Sequence, residues 1–285
     1  MTGTNPALEQ AAALIRDLDQ QALRHTLDVG GCRTAWREWG QGTPLVLLHG
    51  GHGSWMHWVR NIGKLSRHFR VIAPDLPGFG DSDDFALDPH DPGRLEHLLT
   101  CLRLGVEQLV PAGPLHLAGF SFGGATAGML APRLPNLQRL ALMGCGGHGG
   151  PRRDKEPLLN WRTVSGAARQ AAYRQNLQAF MLSDPAAANA LALQVHAWSC
   201  ERTRFRSKGV SRGTMLLDAL KDFDKPVFMA WGEDDVTAEP EEAAKTLTQG
   251  KSSRDWTIIA RAGHWVQFEK ADEINTLLIS WFNAS

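Results

Sequence analysis

The sequence predicts an α/β protein, a mostly parallel eight-stranded sheet flanked by helices, with a helical cap inserted into it. Three observations carry that expectation. Short apolar runs without polar alternation recur along the chain: PLVLLHG, FRVIAPD, LHLAGFS, LALMG, PVFMAWG and DWTIIA. Strands apolar on both faces belong to sheets covered on both sides. Helical stretches separate several of these runs, the alternation that produces a right-handed parallel sheet. One gap, over about 146–225, is too long for a single crossover helix and marks the insertion.

Taken in order, Leu8, Ala12, Ile15, Leu18 and Ala22 recur at helical spacing and predict an N-terminal helix with one apolar face. LRHTLDVGGCRTAWREWG reads as two strands turning at Gly30 and Gly31. The apolar runs then supply the remaining strands. GCGGHGGP opens the long gap as a glycine-rich hinge, and alanine-rich helical sequence follows. The expected division is a core of residues 1–146 and 216–285 with a cap of residues 147–215. Ile274, Leu277, Leu278 and Trp281 share one face of a closing helix.

Composition narrows the function classes. With 285 residues, 43% hydrophobic and 21% charged, the chain matches a soluble globular protein with a full-sized core. Net charge is zero, which argues against nucleic acid as a partner. No apolar run approaches the roughly 20 residues of a membrane span. MTGTNPALEQ has neither a basic start nor an apolar centre, so no secretory leader is expected. Cys32, Cys101, Cys145 and Cys200 match no zinc or CxxC spacing, so no metal is expected and a reducing cytoplasm is the expected location. Oligomeric state is not legible, and a homodimer stays open.

The cap differs from the rest in charge. Residues 151–215 hold eleven Lys and Arg against four Asp and Glu, concentrated in CERTRFRSKGVSR. Such a run is either a solvated face or a set of cations of which one or two turn inward to hold an anionic substrate group.

The strongest chemical signal is GFSFGG at 119–124, where an apolar strand runs into a helix. A G-x-S-x-G in that context is a nucleophile elbow. Glycines let the neighbouring backbones pass, and the serine hydroxyl stands at the carboxyl edge of the sheet, where open α/β sheets bind ligands. Ser121 is thus the candidate nucleophile, and it needs a base. Of eleven histidines, His264 follows the last strand and precedes the last helix, the position that suits the role. The orienting acid is sought in WGEDD, among Glu233, Asp234 and Asp235, with Asp235 preferred; LMGCGGHGG, the other plausible loop, has no carboxylate. The backbone N–H groups of Phe122 and Gly51 are the candidate oxyanion donors.

These motifs resemble the α/β-hydrolase superfamily over nearly the whole chain: LHGG at 48–51, DLPGFGDS at 75–82, GFSFGG, WGEDD at 231–235 and GHW at 263–265. Within it, WMHWVRNIGKL at 55–65 and GHWVQFEKADEIN are similar to the meta-cleavage product hydrolases, which cut carbon–carbon bonds in dienoic keto acids. The resemblance implies a Ser-Asp-His triad without cofactor, with Trp265 lining the site and a cap arginine holding a substrate carboxylate; Arg202, Arg204 and Arg206 are the alternatives, with Arg204 and Arg206 preferred. The chain departs from those enzymes at Phe120 and His57, where they usually carry asparagine, and in a shorter loop after His49. Phe120 makes the expected pocket drier and favours an ester with an apolar part. A serine at the elbow sets the chain apart from haloalkane dehalogenases and epoxide hydrolases, which use aspartate there.

The leading expectation is a carboxylesterase-like serine hydrolase of small ester or acyl substrates. The alternatives are a carbon–carbon hydrolase of dienoic keto acids, a related triad lyase, and a small-molecule receptor on the same fold.

Overall fold

A computed structural model describes residues 6–154 and 156–284. Lys155, one of the cap cations counted above, and the first five residues of the opening stretch lie outside the described residues.

The apolar runs form one sheet of β1 (Leu23–Val29), β2 (Cys32–Trp39), β3 (Pro44–Leu48), β4 (Arg70–Pro74), β5 (Leu115–Phe120), β6 (Leu137–Met143), β7 (Val227–Gly232) and β8 (Arg254–Ile259). Their spatial order is β1-β2-β4-β3-β5-β6-β7-β8. β2 runs antiparallel to both β1 and β4, and every other neighbouring pair is parallel. The hairpin turns at Gly30 and Gly31, with φ of 57° and 74°, as a two-residue turn with both φ positive requires.

The unalternating runs are explained by cover on both faces. Val46 and Leu48 of β3 join one core, and Leu45 and Leu47 join the other. Leu140 and Leu142 of β6 likewise face one way, while Ala141 and Met143 face the other. α3 (Arg94–Leu109), α4 (Phe122–Leu130) and α9 (Pro240–Thr248) contribute to the first core. α2 (Ile62–Leu65), α10 (Val266–Glu269) and α11 (Ala271–Asn283) contribute to the second, α11 through Ile274, Leu278 and Phe282. β8 is an edge strand and remains half exposed, unlike the fully buried strand its sequence predicts.

One difference concerns the N-terminal helix. α1 (Pro6–Gln21) exists; Leu18 is buried and Ile15 and the following Ala22 pack on the second core as expected, but Ala11 joins the inward face and Leu8 is 43% exposed. This helix packs along a cap helix and meets the sheet only at its C-terminal end, where Trp39 Nε1 donates to Leu18 O at 2.7 Å and Asp19 pairs with Arg37, so the two partners set the buried stripe. The interval between β6 and β7 holds α5 (Gly166–Phe180), α6 (Ala190–Glu201), α7 (Lys208–Arg212) and α8 (Met215–Leu220). Of these, α8 packs on α4, with Leu216 and Leu220 in the first core.

The cap docks on the loop after β8 through polar contacts. Glu269 accepts the N–H groups of Ser183, Asp184 and Gly263, and Trp265 N donates to Met181 O at 2.7 Å. No helix among the described residues is long and apolar enough to cross a membrane.

Candidate active site

Parallel register brings the ends of β3, β5, β7 and β8 to one edge, and each following loop delivers one part of the site. Ser121 sits between β5 and α4 with φ 55° and ψ −116°, outside the regions that side chains ordinarily occupy. Its backbone is held from several sides: Ser121 N donates to Met143 O at 2.9 Å, and Ser121 O accepts from Ala125 N and Gly146 N. The flanking glycines are required by space. A Cβ on Gly119 would lie 2.2 Å from Gly123 O, and one on Gly123 would lie 2.3 Å from His49 O.

The hydroxyl meets a base. Ser121 Oγ lies 2.8 Å from His264 Nε2, and His264 Nδ1 lies 2.9 Å from Asp235 Oδ2. Asp235 is fully buried, and its other oxygen accepts both the N–H and the hydroxyl of Thr237 at 2.7 Å. Burial alone pushes the Asp235 carboxyl up. The His264 charge, with hydrogen bonds from His264 and Thr237, outweighs that and holds it below the usual carboxylate range. An ionised Asp235 that accepts Nδ1–H leaves Nε2 free to take the serine proton.

The neighbouring acids are engaged elsewhere. Asp234 accepts the Ser183 hydroxyl at 2.5 Å, tying the cap to the β7 loop, and Glu233 accepts Arg261 N at 3.0 Å.

The loop after β3 is shaped by two neutral imidazoles. His49 Nε2 accepts Leu76 N at 2.9 Å while Nδ1 faces Gly50 O at 2.8 Å, and His57 Nδ1 accepts Gly50 N at 3.2 Å. Burial lowers His49 to about 4 and carries His57 well below its ordinary value. Asp75 Oδ1 accepts Trp55 N at 2.8 Å, and Asp75 is paired with Arg37, which fastens the far end of the loop. Gly51 lines the cavity, and Phe122 opens α4, where the first N–H groups have no intrahelical acceptor.

Above Ser121 lies a cavity of about 440 Å³. Phe120 and His264 line its floor, and Phe180, Met181, Leu158, Leu159 and Trp161 form an apolar wall. Arg152, Arg153, Arg162, Lys208 and Arg212 line the remainder, with no Asp or Glu among the lining residues. Arg153 is already paired with Glu239. Burial and the Arg212 charge together pull Arg152 below its ordinary value.

Four residues expected at the substrate are absent from that lining. Trp265 is fully buried, stacks on Phe268 at 4.1 Å and donates Nε1–H to His57 O at 3.0 Å, so it packs behind His264. His57 is buried behind Phe120, with ring centroids 5.4 Å apart. Arg204 turns outward and donates to Ser82 O, and Arg206 is exposed. The basic stretch instead contributes Lys208 and Arg212, at the two ends of α7, which line the cavity while remaining exposed; Arg152 comes from the hinge. A lone arginine after a glycine hinge carries no periodic signal, so Arg152 was not legible as a lining residue. Thr237 had a faint one, since Asp-x-Thr favours a local side-chain turn.

The Alpha/beta hydrolase family model matches residues 45–277.

The chain belongs to the α/β-hydrolase family.

As a member it is a hydrolase-type enzyme. This α/β hydrolase is 30% identical to 2-hydroxy-6-oxo-6-phenylhexa-2,4-dienoate hydrolase of Comamonas testosteroni, covering 86% of this chain and 90% of that one. Its fold matches a meta-cleavage product hydrolase from Pseudomonas fluorescens IP01 with a TM-score of 0.73 at 22% identity, covering 91% and 97% of the two chains. A carboxylesterase from Bacillus subtilis matches with a TM-score of 0.75 at 20% identity, covering 98% and 97%. The resemblance read from the motifs therefore holds at the level of family and fold.

Proposed function

We propose that the protein is a serine hydrolase of small acyl compounds that carry a negative charge. The single observation behind it is the Ser121–His264–Asp235 chain of hydrogen bonds, 2.8 and 2.9 Å long, opening onto a cavity lined by cations and no carboxylate. In this reading Ser121 Oγ attacks the substrate carbonyl as its proton passes to His264 Nε2. The carbonyl oxygen takes the electron pair and is held by the Phe122 and Gly51 amides. His264 returns the proton to the leaving oxygen, the C–O bond breaks, and an acyl-serine remains. Water, deprotonated by His264, then releases the acid and restores Ser121. The field of Asp235 stabilises the transient imidazolium in both halves.

Ester cleavage is favoured by Phe120, fully buried beneath Ser121 where a polar group would otherwise meet a keto acid. Carbon–carbon cleavage of a dienoic keto acid is the second reading, favoured by the activity named for the Comamonas testosteroni relative and by the cationic wall.

Assay of p-nitrophenyl butyrate and of a dienoic keto acid, with wild type and Ser121→Ala side by side, decides. Hydrolysis of the ester that drops at least about a thousandfold in the variant supports the reading. Equal rates in both proteins overturn it. Turnover of the keto acid alone selects the second reading.

A further inference from the structure

Ser207 precedes α7, is 8% exposed and lines the cavity. Its carbonyl accepts the Ser211 hydroxyl at 3.2 Å, yet its own hydroxyl makes no hydrogen bond among the described residues. The hydroxyl keeps access to the cavity, so its hydrogen bond is open to water or to a ligand.

Its position says which atom of a ligand it would meet. A Cβ built on Gly51 would lie 2.5 Å from Ser207 Oγ and 3.8 Å from Phe122 Cβ. The hydroxyl therefore rests against the backbone of one expected oxyanion donor, Gly51, and Gly51 in turn adjoins Phe122, which carries the other. The segment is pinned there. Phe205 packs on Phe122 and Phe79 with ring centroids 5.5 and 5.8 Å apart, and Arg204 N donates to Gly78 O at 2.8 Å. The Arg204 side chain adds a bond to Ser82 O. Arg204 thus straps the cap to the loop after β4, which explains why it points away from the cavity.

We propose that the Ser207 hydroxyl is a third donor to the developing oxyanion, supplied by the cap. On attack by Ser121 the carbonyl oxygen gains the electron pair, and Ser207 O–H donates a hydrogen bond to it without losing its proton. The cap then takes part in the chemistry as well as in selecting the substrate. This inference rests on the reading of Ser121 as nucleophile.

The test is Ser207→Ala, assayed with the best substrate found above and with a small trifluoromethyl ketone, whose serine adduct carries an oxyanion. The expected result is a tenfold to hundredfold loss of kcat, about what removal of one oxyanion donor causes. KM stays within about twofold, the ketone weakens by a similar factor, and the thermal midpoint is unchanged. Should Ser207→Ala fail to fold, Ser207→Cys, close in shape but a weak donor, carries the same test. Wild-type kcat in a folded variant overturns the inference, as does a change confined to KM. If Ser121→Ala is inactive while Ser207→Ala keeps full kcat, only this inference fails. If Ser121→Ala still turns over substrate, the reading beneath it fails first.

Discussion

On the sheet side of the cavity the hydroxyl of Ser121, both nitrogens of His264 and both carboxylate oxygens of Asp235 have hydrogen-bond partners. On the cap side, Arg152, Arg162, Lys208 and Arg212 converge with no carboxylate among the lining residues. The first region is a closed set of mutual hydrogen bonds, whereas in the second Arg152 donates to Ser211 O and Arg162 lies over the Trp161 ring, with no carboxylate lining the cavity beside them. Groups that carry out a reaction must be held in place, and a buried network of mutual hydrogen bonds does this at small reorganisation cost. Cations without a carboxylate partner keep their charge available to an anionic ligand. In the proposed reading the difference separates a site for bond making from a site for selection, with Ser207 at the seam.

The largest effect expected from breaking the first region is Asp235→Asn, which removes the charge behind His264 and allows the wrong tautomer. We expect a fall in kcat of about ten-thousandfold, against a change within about twofold for Asp234→Asn. Steady-state kinetics of the two variants would sink the assignment if the losses were reversed.

A second effect is acid sensitivity of the same region. His49 has its ordinary value of 6.5 in the unfolded chain and about 4 when folded. Between those values the unfolded chain binds more protons, so stability falls as the pH is lowered. His49 alone then costs about 2 kcal/mol between pH 6.5 and 5. His57 acts in the same direction. Asp75, pushed up by burial against the pull of Arg37, acts in the opposite one. Urea unfolding across this range should show the loss, and a flat profile would contradict the neutral imidazoles.

The smallest effects belong to the cap wall and should be selective. Arg152→Gln and Arg212→Gln are expected to raise KM for p-nitrophenyl hemisuccinate about tenfold, the scale of one charge-assisted hydrogen bond. KM for neutral p-nitrophenyl butyrate should change little. Arg206→Gln should leave both substrates unaffected. Equal changes for the charged and neutral esters would remove the anionic subsite.

Much of the sheet side was legible in the chain. The elbow glycines, the order of serine, acid and histidine, and the runs apolar on both faces are local patterns imposed by steric fit and by burial on two faces. Ser121, His264 and Asp235 could be expected to meet, and do, because each follows a strand and a parallel sheet delivers such loops to one edge. The cap side was read less well. Its basic excess was visible, but Arg204 and Arg206 were the wrong members of it, and Trp265 and His57 proved to be packing behind the site.

The sequence by itself determined the family, the strand order of the chemistry and the residues that meet at Ser121. Tertiary structure alone decided which cations enter the cavity, and that an unbonded hydroxyl from the cap rests on Gly51. The physical reason is one of range. Strand periodicity and tight turns are set by neighbours in the chain. The direction of a long side chain on an irregular segment is set by whatever packs against it, as Phe205 on Phe79 and Phe122 does here.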